Sequence, residues 1–188
     1  MIIRPLTIMA PRPAPPEPPG PSFDEVTIGS QTWMAKNLSI DDGGEGIYIF
    51  DNVTANDVNF GTIYYYTQEA ANRIAGNIEG WHLPTIAELN SLQSYIGGSS
   101  SNANSLGSIS GWQYHNGTNE TGLNLIPVGV YELIRPQTTN LGTASYLLSS
   151  NSDNGYYLCD GRRIEFLYFR SESTKSRAST VRLIKDVT

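Results

Sequence analysis

Residues 80–98 read GWHLPTIAELNSLQSYIGG. This stretch carries a full set of helix start and stop signals. Pro84 precedes Thr85, whose hydroxyl can cap a helix, and Glu88 three positions on completes a capping-box pattern. Leu89, Leu92 and Ile96 recur at the spacing that places side chains on one helix face. Gly97-Gly98 supplies the stop, because glycine takes the left-handed conformation that ends helices. A helix over residues 85–96, buried on one side, is the prediction.

Upstream, Ala70, Ala71 and Ile74 at helical spacing predict a short helix over residues 67–78. DDGGEG at 41–46 reads as a loop, and residues 47–50 and 62–66 read as strands after it. Residues 25–28 and 32–38 flank Gly29-Ser30, a pair suited to a hairpin turn. Downstream, residues 99–111 are rich in Ser, Asn and Gly and predict a long loop. Residues 123–133 read as a strand, kinked or at an edge because Pro127 has no N–H to donate. Residues 145–150, 156–159, 164–170 and 180–184 complete a β-rich second half. Helices early and strands late give an α+β class.

Composition bounds the rest. A chain of 188 residues suits one domain, and a body of residues 23–188 buries roughly 70% of its unfolded surface without needing a metal or disulfide. The formal net charge of -6 excludes a general nucleic-acid binder, which needs a basic face. Charged residues make up only 16%, so the surface is neutral-polar and aromatic. No stretch approaches the roughly 20 apolar residues of a membrane span. The run at 1–10, MIIRPLTIMA, is too short for a signal-peptide core.

Residues 10–22 read APRPAPPEPPGPS and hold Pro11, Pro13, Pro15, Pro16, Pro18, Pro19 and Pro21, seven of the 11 prolines. Proline fixes φ and removes a donor, so this segment favours extended polyproline II. It reads either as a stiff spacer or as an anchoring arm. In the second reading, Ile2, Ile3, Leu6 and Ile8, with Pro11 and Pro13, dock on a partner. The expected division is an arm over 1–22 and a display domain over 23–188.

Four motifs run in order through the body: TIGSQTWMAKNLS at 27–39, the 80–98 stretch, GTNETGLNLIPVG at 117–129 and TVRLIKD at 180–186. Together they resemble the Fibrobacter succinogenes major paralogous domain, a family related to C-type lectin-like folds, over roughly residues 24–186. The resemblance implies a lectin-like display scaffold. The family usually has a cysteine just before the GWHLP motif and another in the final strand. Asn77 and Leu183 stand there in this chain, and Cys159 is the single cysteine. That pattern fits maturation in a reducing compartment.

Candidate site residues each have a plain structural alternative. Trp33, Trp81 and Trp112 are either ligand platforms or core, and core is expected because aromatics bury large areas. His82 and His115 are too few for a zinc site; His82 is expected to be a hydrogen-bonded structural residue and His115 an exposed loop residue. Asp41, Asp42 and Glu45 do not follow the calcium-loop spacing and are expected to form a solvated acidic turn. Glu120 is expected to bond neighbouring loops. The implied fold is shared with formylglycine-generating enzymes, but these use a reactive cysteine pair, so a buried free thiol is expected at Cys159. No catalytic residues, metal or cofactor are assigned. Four N-x-[ST] sequons, at Asn37, Asn52, Asn116 and Asn119, arise readily in so Asn/Ser/Thr-rich a chain.

The late part of the chain is the candidate binding surface, because related lectin-like folds display ligand-binding residues there. Tyr156, Tyr157, Asp160, Arg162, Tyr168, Arg170, Glu172 and Lys175 combine aromatics with adaptable polar groups, as antibody paratopes do. An ordinary polar loop surface is the alternative. The expected function is a non-enzymatic virion component of a phage infecting Bacteroidetes-like bacteria, a head fibre or capsid decoration. Its arm would bind a capsid or other virion protein, and its domain would face a host-surface glycan or protein, in several copies as a homo-oligomer. A bacterial cell-surface or secreted adhesion module is the alternative, and an enzyme ranks last.

Overall fold

A computed structural model describes residues 21–98, 102–150, 154–160, 164–170 and 176–186. The anchoring residues Ile2, Ile3, Leu6, Ile8, Pro11 and Pro13 lie outside the described residues, as do Arg162, Glu172 and Lys175.

The chain enters through a hairpin, β1 (Glu25–Ile28) and β2 (Gln31–Met34), with Ile28 facing Gln31 across Gly29-Ser30. Gly29 has φ +62 while Ser30 does not share the positive sign. That is the type II′ pattern, whose twist matches the flanking strands. Strand β3 (Ile47–Phe50), the short pair β4 (Thr54–Ala55) and β5 (Val58–Asn59), and β6 (Ile63–Tyr66) follow.

Helix α1 (Gln68–Ala75) starts where Thr67 accepts the Ala70 N–H, and it buries Ala70, Ala71 and Ile74 as their spacing predicts. After β7 (Trp81–His82) comes α2 (Ile86–Tyr95), with its capping box complete. Thr85 Oγ1 accepts the Glu88 N–H, and Glu88 Oε2 accepts the Thr85 N–H at 2.7 Å. Leu89, Leu92 and Ile96 are buried, and Gly97 and Gly98 both take positive φ at the exit.

The second half comprises β8 (Val130–Glu132), β9 (Gln137–Thr139), β10 (Ala144–Leu148), β11 (Asn154–Asp160), β12 (Ile164–Arg170), β13 (Arg177–Ser179) and β14 (Ile184–Lys185). The larger sheets run in the orders β1-β2-β14-β7, β3-β6-β13-β8-β9 and β10-β11-β12. Every strand pair is antiparallel. The class is therefore α+β, with two helices and mostly β structure.

Two predicted strands are divided. Of residues 123–133 only Val130–Glu132 form a strand. Asn124 (φ 52) and Gly129 (φ 63) turn the backbone out of the β region, and Pro127 offers no donor. Residues 180–184 are likewise not one strand: β13 ends at Ser179 and β14 begins at Ile184. The intervening backbone still bonds, with Leu38 N–H donating to Val181 O and Met34 N–H to Leu183 O.

Three apolar clusters fill the body. One joins Trp33, Leu89, Leu92, Trp112, Leu158 and Phe166, tying α2 to the β10–β12 sheet. A second surrounds α1 with Tyr66, Trp81, Val181 and Leu183. Leu183 is packed there as an apolar residue. The third centres on Tyr65 and Val128, flanked by half-buried Tyr48, Phe50 and Tyr131.

Candidate functional site

Three of the four motifs meet on one buried side chain. Arg182, 2% exposed, donates from Nε to Asn37 Oδ1 at 2.6 Å. Its Nη1 donates to the carbonyls of Met34 (3.0 Å) and Leu123 (2.8 Å), and Nη2 to that of Asn124 (3.0 Å). The rigid fork of guanidinium donors suits this convergence of acceptors. No carboxylate faces it among the described residues, and burial pushes the guanidinium down, to about 9. This is a junction that holds the scaffold.

The β10–β12 sheet is two-faced, because successive side chains alternate. Ser145, Leu147, Leu158 and Phe166 form the buried face, and Gln93 Nε2 ties α2 to it by donating to Phe166 O at 2.9 Å. On the other face Tyr146 and Tyr157 sit opposite one another, with rings stacked at 5.4 Å and 16°. Asn140 Nδ2 donates to the Tyr146 hydroxyl at 2.9 Å. Cys159 and Glu165 form the next row. Burial pushes the Cys159 thiol up, and the neighbouring Glu165 adds to it. Burial likewise raises both tyrosines.

At the end of β11, Asp160 has a side chain of 0% exposure. Its Oδ2 accepts the N–H groups of Tyr114 (2.7 Å) and His115 (2.9 Å), and its Oδ1 faces His115 Nδ1 at 2.9 Å. Elsewhere, His82 lies between two carboxylates, with Nδ1 at 2.6 Å from Asp186 Oδ1 and Nε2 at 3.0 Å from Glu88 Oε1. Burial raises the Glu88 carboxyl, but hydrogen bonds from Thr85 and His82 outweigh it and hold the group below its usual value. A groove of about 440 Å³ opens beside Trp81, His82 and Asp186.

A family model described as the Fibrobacter succinogenes major domain matches residues 26–185. The chain belongs to that family. The match runs from β1 through β14 and so covers the whole described α+β body. No curated protein and no solved structure matches the chain.

Within this major domain the residues singled out from sequence separate. Trp33, Trp81 and Trp112 are core, at 0%, 8% and 5% exposure. His82 is hydrogen-bonded as expected. His115 is half exposed, as a loop residue should be, but its ring is also anchored on Asp160. Glu120 stands exposed and makes no side-chain hydrogen bond among the described residues. The loops there are joined instead through Asn119 N–H to Gly107 O and through Thr121 N–H and Oγ1 to Ser105 O. Hence the role expected of Glu120 belongs to its neighbours.

The acidic turn at 41–46 is a braced structure. Asp41 and Asp42 accept the N–H groups of Gly43 and Gly44, and Arg73 grips Asp42 through Nε (2.7 Å) and Nη2 (3.0 Å). Among the sequons, Asn37 is committed to Arg182, and Asn119 Oδ1 is buried.

Of the expected binding residues, Tyr157 lies on the face opposite the core. Tyr156 pairs with Tyr168, and Arg170 with Asn154, across β11 and β12; their side chains lie outside the described residues. Asp160 is not a surface residue at all: its carboxylate is turned inward to hold residues 114–115. Of the described side chains in the expected set, Tyr157 and Asp160 therefore lie on different sides of the sheet. The loop at 113–116 escaped notice because its anchor, Asp160, lies far away in sequence.

Proposed function

We propose that the domain is a non-enzymatic display module of C-type lectin-like type. Its ligand-binding surface would centre on the β10–β12 sheet and the loops at its ends. The stacked, half-buried Tyr146–Tyr157 pair on the sheet face turned from the core is the observation that carries this reading. Rigid aromatic rings held by a packed sheet offer contact area at low entropic cost. A thiol pushed up by burial at Cys159 and a His82 ring engaged at both nitrogens favour a scaffold over a nucleophilic centre. The lectin-like assignment rests on the motif resemblance.

The proline-rich arm would attach the module to a capsid or other virion protein, with the domain facing a host-surface glycan or protein. Cross-linking mass spectrometry on native material tests this, by asking what residues 1–21 touch. Cross-links to a capsid-type protein are expected; cross-links to envelope proteins would overturn the virion placement in favour of a bacterial surface module. Tyr157→Ala is expected to weaken ligand binding with the fold intact, and undiminished binding would overturn the sheet surface.

A further inference from the structure

We propose that residues 113–116, Gln113-Tyr114-His115-Asn116, form a binding tip for neutral glycans. It deepens the display reading by naming a ligand class and a second contact element beside the β10–β12 sheet.

The tip is exposed as a unit. Each of its residues is exposed, between buried Trp112 and buried Gly117, and Tyr114 is 63% exposed. Exposure of this kind usually goes with a loose loop, but this one is fixed at every step. Gln113 N–H donates to Gly142 O at 2.8 Å, and the next two N–H groups donate to Asp160. Trp112 N–H donates to Asn116 Oδ1, and Trp112 Nε1 donates to Ser108 Oγ at 3.0 Å. Gly117 N–H donates to Ser108 O at 2.8 Å, and a side chain at Gly117 would run into the Gly107 carbonyl.

Asp160 is the second observation. A fully buried carboxylate is costly unless its acceptors are filled, and here they are filled from the tip itself. Core packing alone would be served as well by an apolar residue. What the carboxylate adds is a fixed backbone at two exposed residues. It also fixes the chemistry of His115. Because Asp160 accepts, Nδ1 must carry the proton, so in the neutral ring Nε2 is an acceptor, without a partner among the described residues.

The tip thus offers an aromatic face and hydroxyl from Tyr114, an acceptor from His115, and amide groups from Gln113 and Asn116. Gln113, Tyr114 and Asn116 carry no formal charge. The tip holds neither Lys nor Arg, the cations that phosphate, sulfate or sialic acid would demand. It suits a molecule with many hydroxyls and a C–H face that can lie on the electron-rich face of a ring. A neutral sugar has both.

The test is binding of the full chain to an array holding neutral gluco-, manno-, galacto- and xylo-oligosaccharides alongside sialylated and sulfated ones. Binding to at least one neutral glycan is expected. Tyr114→Ala should weaken it by about tenfold or more, with an unchanged melting temperature, while Tyr114→Phe largely retains it. Failure to bind any neutral glycan, or a preference for acidic ones, overturns the ligand class. Neutral-glycan binding that survives Tyr114→Ala but is lost in Tyr157→Ala overturns the tip and leaves the display reading standing. Loss in Tyr114→Ala alone, with Tyr157→Ala unaffected, supports the tip and overturns the sheet surface.

Discussion

Arg182 Nε donates to Asn37 Oδ1 at 2.6 Å across 145 positions of sequence, and the same guanidinium caps carbonyls at 34, 123 and 124. These contacts hold together the beginning, the middle and the end of the domain. Arg182→Leu would leave those carbonyls buried without donors. Each buried carbonyl left without a donor costs about 1–3 kcal/mol. Urea denaturation should show that loss, with Arg182→Lys recovering little because an ammonium lacks the planar fork. A midpoint close to wild type for Arg182→Leu would mean the junction is dispensable.

Acid sensitivity follows from two carboxylates. The Arg73 guanidinium bonded to Asp42 holds its carboxyl well below the ordinary 3.8, at about 2. Glu88 is held below 4.5 against the opposing effect of its burial. A lowered acid contributes stability that is present above its unfolded value and lost as pH falls through the folded one. Stability should therefore hold steady above about pH 5 and decline toward pH 2. In Arg73→Gln the decline between those ordinary values and pH 2 should be shallower. An acid transition identical to wild type would show that the Arg73–Asp42 pair contributes nothing to it.

How far the sequence carried depended on the range of the interaction. The α2 helix was legible because Thr85, Glu88, Leu89, Leu92 and Gly97 act within one stretch of chain. The Gly29-Ser30 hairpin was legible for the same reason. Short strands such as β4, β5, β7 and β9 left no periodic trace; they exist because a partner lies alongside, as Lys185 does for Trp81. Within the expected binding surface, one residue departs from its reading. Asp160 read as a surface acid because nothing local marks a carboxylate whose partners are 45 and 46 residues away.

The alkaline limit is set by tyrosines. Burial raises Tyr65 and Tyr66 above their ordinary 10.0, and each hydroxyl donates inward, Tyr65 to Val128 O at 2.6 Å and Tyr66 to Ile40 O at 2.9 Å. A group raised on folding contributes stability that is complete below its unfolded value and lost as pH rises through the folded one. Unfolding should therefore become easier as pH climbs past 10.0. Tyr65→Phe should blunt this dependence while losing about 1 kcal/mol at neutral pH with its hydrogen bond. Chemical denaturation across that range checks both, and an undiminished alkaline slope in Tyr65→Phe would remove Tyr65 from the cause.

Gly129 offers the sharpest packing test. Its φ is +63, its N–H donates to Ala144 O at 2.8 Å, and a Cβ there would strike the Thr139 carbonyl where β9 leaves its hairpin. Gly61 shares a positive φ, at +74, but has open space around it. Alanine at Gly61 should cost about 1 kcal/mol, the backbone penalty alone. Alanine at Gly129 must also push two backbone segments apart, and should cost about 3 kcal/mol or more. The difference in denaturation midpoint between the two variants isolates the close approach, since the backbone penalty is common to both. Equal losses would mean that the backbone around Gly129 yields freely, and that β8 and β9 are not clamped at that point.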